Sequence, residues 1–105
     1  MQHTIKAKYS IFLPVRNGEV YIAQAIKSVL AQQFSDFALI VLENKSTDNT
    51  LAIMRGFNDP RISVIEASHT LTIFENWRRI FELTNSGAIQ SEFSTILGCD
   101  DIFYH

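Results

Sequence analysis

Phe37-Ala38-Leu39-Ile40-Val41-Leu42 runs without a polar side chain and then gives way at once to Glu43-Asn44-Lys45-Ser46-Thr47-Asp48. An unbroken apolar run of this length suits a strand covered on both faces, as in a parallel sheet flanked by helices. The abrupt turn to polar residues marks where such a strand ends and its chemistry begins. Upstream, residues 18–32 place Ile22, Ala25, Ile26, Val29 and Leu30 at i, i+3, i+4, i+7 and i+8, one face of a helix. Asn17 stands in the N-cap position, followed by Gly18-Glu19 in the first turn. Further upstream, Tyr9-Ser10-Ile11-Phe12-Leu13 is a short strand stopped by Pro14, and residues 1–8 read as an N-terminal tail.

Downstream, Ser46 or Thr47 caps a second helix, with Asp48 in its first turn and Leu51, Met54 and Phe57 as its buried stripe. Asn58-Asp59-Pro60 is a turn, and the alternation of Arg61-Ile62-Ser63-Val64-Ile65 predicts a third strand. The polar stretch Ala67–Thr70 leads to a third helix at 73–84, whose inner face is Ile73, Trp77, Ile80 and Phe81. Asn85-Ser86-Gly87 closes it, with Gly87 at C′. On this reading Trp77 is core, while Arg78 and Arg79 form a solvated face. A fourth strand, Phe93–Leu97, reads as buried on both faces, with Phe93, Thr95 and Leu97 opposite Ser94 and Ile96. It runs into Gly98-Cys99-Asp100-Asp101. The order βαβαβαβ predicts a Rossmann-like α/β domain with a parallel sheet over residues 9–105.

Composition narrows the function. The chain has 105 residues, 47% hydrophobic and 19% charged, which fits one small globular domain or a piece of a larger one. Nine Lys and Arg stand against eleven Asp and Glu, so no basic excess exists to neutralise nucleic-acid phosphates. One cysteine, Cys99, excludes an internal disulfide and a cysteine-based zinc site, and fits a reducing compartment. Beside Asp100 its thiolate is disfavoured, so it reads as a small apolar group. His3, His69 and His105 lack ligand spacing. No apolar run reaches the roughly 18 residues of a membrane span, and no apolar segment follows Lys6 as in a secretory leader. The expected location is cytoplasmic.

Open α/β sheets bind ligands at the carboxyl ends of their strands. Three polar clusters fall there: Pro14-Val15-Arg16-Asn17, Glu43-Asn44-Lys45-Ser46 and Asp100-Asp101. Adjacent carboxylates repel unless a cation shares their site, and Mg2+ or Mn2+ bridging to a diphosphate would serve; a solvated turn is the other reading of that dipeptide. Glu43 and Asn44 suit a base edge or a ribose hydroxyl, or simply a polar loop. Arg16 matches a phosphate in geometry, or is an exposed loop charge.

Taken together, these stretches resemble the nucleotide-sugar-binding half of a family 2 inverting glycosyltransferase of the GT-A fold. The resemblance is carried by Ser10–Asn17, by Ile26–Phe37, by Ile40–Thr50, by Asn76-Trp77 and by Leu97-Gly98-Cys99-Asp100-Asp101. It implies that Pro14, Val15, Arg16, Asn17, Glu43, Asn44, Ser46 and Asp100 bind the nucleotide. It also implies that Asp101, with Asp100, holds a divalent metal, Mn2+ or Mg2+, in a DxD-type motif. The implied partners are a nucleotide-diphosphate sugar and a saccharide or lipid-linked saccharide acceptor, and the implied setting is cell-envelope polysaccharide synthesis at or near a membrane. The family usually has Asp-Asp where this chain has Glu43-Asn44, which opens the question of nucleotide preference. The catalytic base of the family lies downstream of the metal motif, so it is expected beyond His105, and the chain reads as truncated after that motif. On that expectation the chain alone is inactive, marginally stable, and able to self-associate through an exposed sheet. The competing expectation is a non-catalytic α/β binding module. A phospho-receiver domain ranks third, because its acidic pair follows the first strand, where this chain has Pro14–Asn17.

Overall fold

The computed structural model describes residues 5–32 and 36–97. Six strands and three helices follow in the order β1 (Ile5–Lys6), β2 (Tyr9–Val15), α1 (Ile22–Leu30), β3 (Phe37–Glu43), α2 (Thr50–Arg55), β4 (Ile62–Glu66), α3 (Ile73–Asn85), β5 (Ile89–Gln90) and β6 (Phe93–Ile96). The main sheet has the strand order β4-β3-β2-β6, and every pairing in it is parallel. This is the expected α/β architecture with the expected alternation.

The topology fixes which face each helix covers. The chain steps from β2 to β3 to β4 in one direction, then returns across the sheet to β6. Right-handed crossovers therefore put α1 and α2 on one face and α3 on the other. Alternate residues of the central strands divide accordingly. Ile11, Leu13, Val15, Leu39 and Val41 pack with Ile22, Ala25, Ile26, Val29 and Met54. Phe12, Ala38, Ile40 and Leu42 pack with Ile80 and Ile89. Every residue of β3 is buried, as its unbroken apolar run requires.

Four local expectations are corrected. Helix α1 begins at Ile22, and Asn17 is not its N-cap: its backbone is left-handed at φ 55° and its side chain serves another loop. The inner face of α3 is not the aromatic one. Asn76 and Ile80 are buried there, whereas Trp77 is 42% and Phe81 68% exposed. Arg79 is half-buried rather than solvated, because carbonyl groups at the strand ends need donors and its guanidinium supplies them. Strand β6 is not buried on both faces: it is the edge of the sheet among the described residues, with Phe93 stacked on Tyr9 at 5.3 Å, and it is exposed along its length, as expected of this strand when nothing downstream covers it.

Part of the stretch read as an N-terminal tail forms β1, which pairs with β5 in parallel and lets Ile5 pack on the α3-side core. Two residues per strand are too few to show a period. The end of α3 is as expected: Ser86 is the C-cap and Gly87 follows at φ 79°, a conformation glycine adopts without strain.

Candidate functional site

The return of the chain from β4 to β6 makes the gap between the carboxyl ends of β2 and β6 a topological switch point, the place where such sheets bind ligands. The last described link there is the bond from Leu97 N–H to the Phe12 carbonyl, 2.8 Å. Gly98-Cys99-Asp100-Asp101 comes next in sequence, and Asp100 and Asp101 lie outside the described residues. Among the described residues, no group of three His, Cys, Asp or Glu side chains could hold a metal ion.

The loops after β2 and β3 are built as one unit. Asn17 N–H donates to Ser46 Oγ at 2.9 Å, and Thr47 N–H donates to Asn17 Oδ1 at 2.7 Å. Gly18 N–H donates to Thr50 Oγ1 at 2.8 Å, and that hydroxyl donates in turn to Asp48. Glu19 N–H donates to the second Asp48 oxygen, and Asn49 N–H to the Glu19 carboxylate. Burial alone would raise the Asp48 carboxyl, but the bonds from Thr50 and Glu19 hold it below its usual value. Gly18 is required by space: a Cβ there would stand 2.8 Å from Val15 Cγ2. Ser46 and Asp48 are thus loop-to-loop acceptors, and α2 has Asn49 as its N-cap, in place of Ser46 or Thr47. Arg16 is exposed beside this unit.

Glu43 and Asn44 are buried at the end of β3, 2% and 3% exposed. Glu43 Oε1 accepts from Ser46 N–H at 2.7 Å and turns the chain through Lys45, whose φ is 47°. Asn44 uses its side chain as a substitute peptide: Leu71 N–H donates to Oδ1 at 2.7 Å, and Nδ2 donates to the Leu71 carbonyl at 2.9 Å. Its own backbone N–H reaches the Val15 carbonyl. The structure therefore brings Pro14, Val15, Arg16, Asn17, Glu43, Asn44 and Ser46 to one edge, and adds the β4–α3 loop as a third wall.

Asn76, noted in the sequence only for the resemblance, and Arg79, read there as a solvated charge, also belong to this edge. Asn76 Nδ2 donates to the Leu42 carbonyl, and its Oδ1 accepts from Arg79 Nη1 at 2.7 Å. Arg79 also reaches the carbonyls of Glu43 and Ile65. The i, i+3 spacing of Asn76 and Arg79 puts both on one helix face, but the same spacing fits a solvated face equally well. A hollow of about 440 Å³ lined by Lys6, Lys8, Asp36 and Glu92 lies at the opposite, amino-terminal ends of the strands. Its rim is made of surface side chains and it lies away from the polar clusters at the carboxyl edge.

Residues 10–104 match the family described as Glycosyl transferase family 2. The chain is 38% identical over 56 residues to the UDP-Glc:alpha-D-GlcNAc-diphosphoundecaprenol beta-1,3-glucosyltransferase of Escherichia coli, covering 53% of this chain and 22% of that protein. It is 35% identical over 57 residues to the GalNAc(5)-diNAcBac-PP-undecaprenol beta-1,3-glucosyltransferase of Campylobacter jejuni, covering 52% of this chain and 18% of that protein. An uncharacterized glycosyltransferase of Mycoplasma genitalium is 25% identical over 99 residues, covering 91% of this chain and 33% of that protein. The chain thus spans from 18% to 33% of the length of these three relatives.

Proposed function

The chain belongs to glycosyl transferase family 2, and on that premise we propose that its carboxyl strand edge binds the nucleotide of a sugar donor for transfer to an acceptor hydroxyl with inversion. The observation that carries this reading is the interlocked pair of loops after β2 and β3, set beside the β2–β6 switch point. Loops held by this many mutual bonds present a preformed surface, which lowers the ordering cost of binding. Pro14, Val15, Arg16 and Asn17 form one wall for base and ribose. The loop that carries Ser46, shaped from beneath by the buried Glu43 and Asn44, forms the other, and Arg16 is available to a phosphate oxygen.

Asp100 and Asp101 offer carboxylate oxygens alone, a donor set that suits Mg2+ or Mn2+ better than softer metals. When bound, such an ion supplies neutralisation of the departing diphosphate. In the overall exchange, the acceptor oxygen bonds the anomeric carbon as the bond from that carbon to the diphosphate oxygen breaks. The acceptor proton goes to a general base. We place that base and the acceptor site outside residues 1–105, in keeping with the greater length of the relatives.

Two of the relatives are named for undecaprenol-linked saccharides, and two others, from Staphylococcus aureus, for poly(ribitol-phosphate). We therefore propose for this protein a saccharide or lipid-linked saccharide acceptor in cell-envelope polysaccharide synthesis, with the reaction at the cytoplasmic membrane surface. No helix among the described residues is long and apolar enough to cross a membrane. The test is release of nucleoside diphosphate by the intact protein from a panel of UDP-, GDP- and dTDP-sugars with a lipid-linked acceptor. Acceptor-dependent release from one donor is expected; no release from any donor, with any divalent ion, would count against the reading.

A further inference from the structure

A strand that ends a parallel ladder leaves carbonyl groups over, and buried ones must find donors. At this edge α3 provides them. Arg79 donates to the Glu43 carbonyl at 3.1 Å, to the Ile65 carbonyl at 2.6 Å and to Asn76 Oδ1 at 2.7 Å. Asn76 donates to the Leu42 carbonyl. Asn44, the residue after Glu43, pairs with both backbone groups of Leu71 and, through its own N–H, with Val15. One continuous set of bonds therefore joins α3, the ends of β4, β3 and β2, and the β4–α3 loop.

The cation in this set is unusual. Arg79 is half-buried, and no carboxylate lies within ion-pair distance of it among the described residues. Burial pulls its guanidinium below the usual range, and the more distant Glu43 and Glu82 charges offset part of that. A planar guanidinium can bind three carbonyl oxygens in fixed directions, which a single flexible ammonium cannot. Its neighbour Arg78 is exposed and makes no such bonds.

We propose that Arg79, acting with Asn76, is a positioning residue for the nucleotide site: it fixes the ends of β3 and β4, and through Asn44 it holds the β4–α3 loop as the third wall. The inference rests on the donor-binding reading given above. It makes Asn44 a loop clamp first: an Asp at that position could accept from Leu71 N–H but could not donate to the Leu71 carbonyl.

The test compares Arg79→Gln, Arg79→Lys and the control Arg78→Gln in the intact protein. Thermal melting checks the fold, hydrogen exchange reads the Leu71 and Ser46 amides, and calorimetry with UDP, GDP and dTDP reads affinity. Losing a set of hydrogen bonds from a charged donor is expected to speed exchange at both amides and to weaken nucleotide binding, each about tenfold. Arg79→Lys should restore part of both effects, and Arg78→Gln should change neither. Unchanged exchange at Leu71 and Ser46 in Arg79→Gln would overturn the proposal. So would faster exchange with nucleotide affinity within about twofold of the parent, because tenfold is the size of effect at stake. If Arg79→Gln does not fold, Arg79→Lys carries the same comparison, with intermediate values expected and parental values contradicting it. A parent that binds no nucleotide defeats the donor-site reading, and the exchange measurement then still decides whether Arg79 holds the loop.

Discussion

Lys45 holds its backbone at φ 47° directly after the buried Glu43-Asn44 pair. A side chain in that region costs about 1–2 kcal/mol, which glycine avoids at the expense of a more disordered unfolded chain. Lys45 is exposed. Lys45→Gly is therefore expected to stabilise the protein by about 0.5–1 kcal/mol, read as a rise in melting temperature; a fall would show that the lysine side chain holds the turn. Asp59 links its fold to pH. Its hydrogen bonds from the Arg61 side chain and backbone lower its carboxyl from 3.8 to about 2. A carboxyl lowered in the folded state adds stability that is complete above its unfolded value and is lost as pH falls from about 4 towards 2. Asp59→Asn should flatten the acid side of the stability profile over that window. Parallel profiles for parent and variant would contradict it. Neither residue's geometry was readable beforehand: Lys45 and Asp59 sit in ordinary polar turns, and their conformations depend on what surrounds them.

Helix α3 shows what a periodic pattern leaves open at the scale of one element. Phe74, Trp77 and Phe81 share one face by spacing, yet all three are exposed. The opposite face, with Asn76, Arg79 and Ile80, meets the sheet because strand-end carbonyls need donors more than the aromatics need cover. The periodicity favoured the face with Trp77 and Phe81, and the need of those carbonyls for donors decided otherwise. The start of the helix is set by a capping box in which Thr72 accepts from Glu75 N–H while Glu75 accepts from Thr72 N–H. Those bonds from Thr72 hold the Glu75 carboxyl below its usual value. Thr72→Ala is expected to cost about 1 kcal/mol in thermal stability. Because Thr72 follows Leu71, the same change should also speed exchange at the Leu71 amide; an unaltered melt would show that the cap contributes nothing. Strand β3 is the contrasting case, since an unbroken apolar run has one stable place, between two helical layers. Gly18 is expected to resist change for packing reasons: Gly18→Ala should cost about 1–3 kcal/mol by forcing Val15 aside.

Across the whole molecule, the alternation of strand and helix was enough to give the parallel sheet, its two helical layers and the edge where the polar clusters meet. It could not give the cross-links between those clusters, because hydrogen bonds between residues some thirty positions apart leave no local pattern. The interlocked loops, the Asn44–Leu71 pairing and the Arg79 contacts came from the structure, whereas Asp100 and Asp101 enter through the sequence alone. We propose that this edge binds a nucleoside diphosphate with the help of a divalent ion held by Asp101. Calorimetry of the intact protein and its Asp101→Ala variant with UDP, GDP and dTDP, with and without Mn2+, tests it most directly. One of the three is expected to bind the parent more tightly with Mn2+, and Asp101→Ala is expected to lose that metal-dependent part. Binding of none of them, or the same metal dependence in the variant as in the parent, would contradict it.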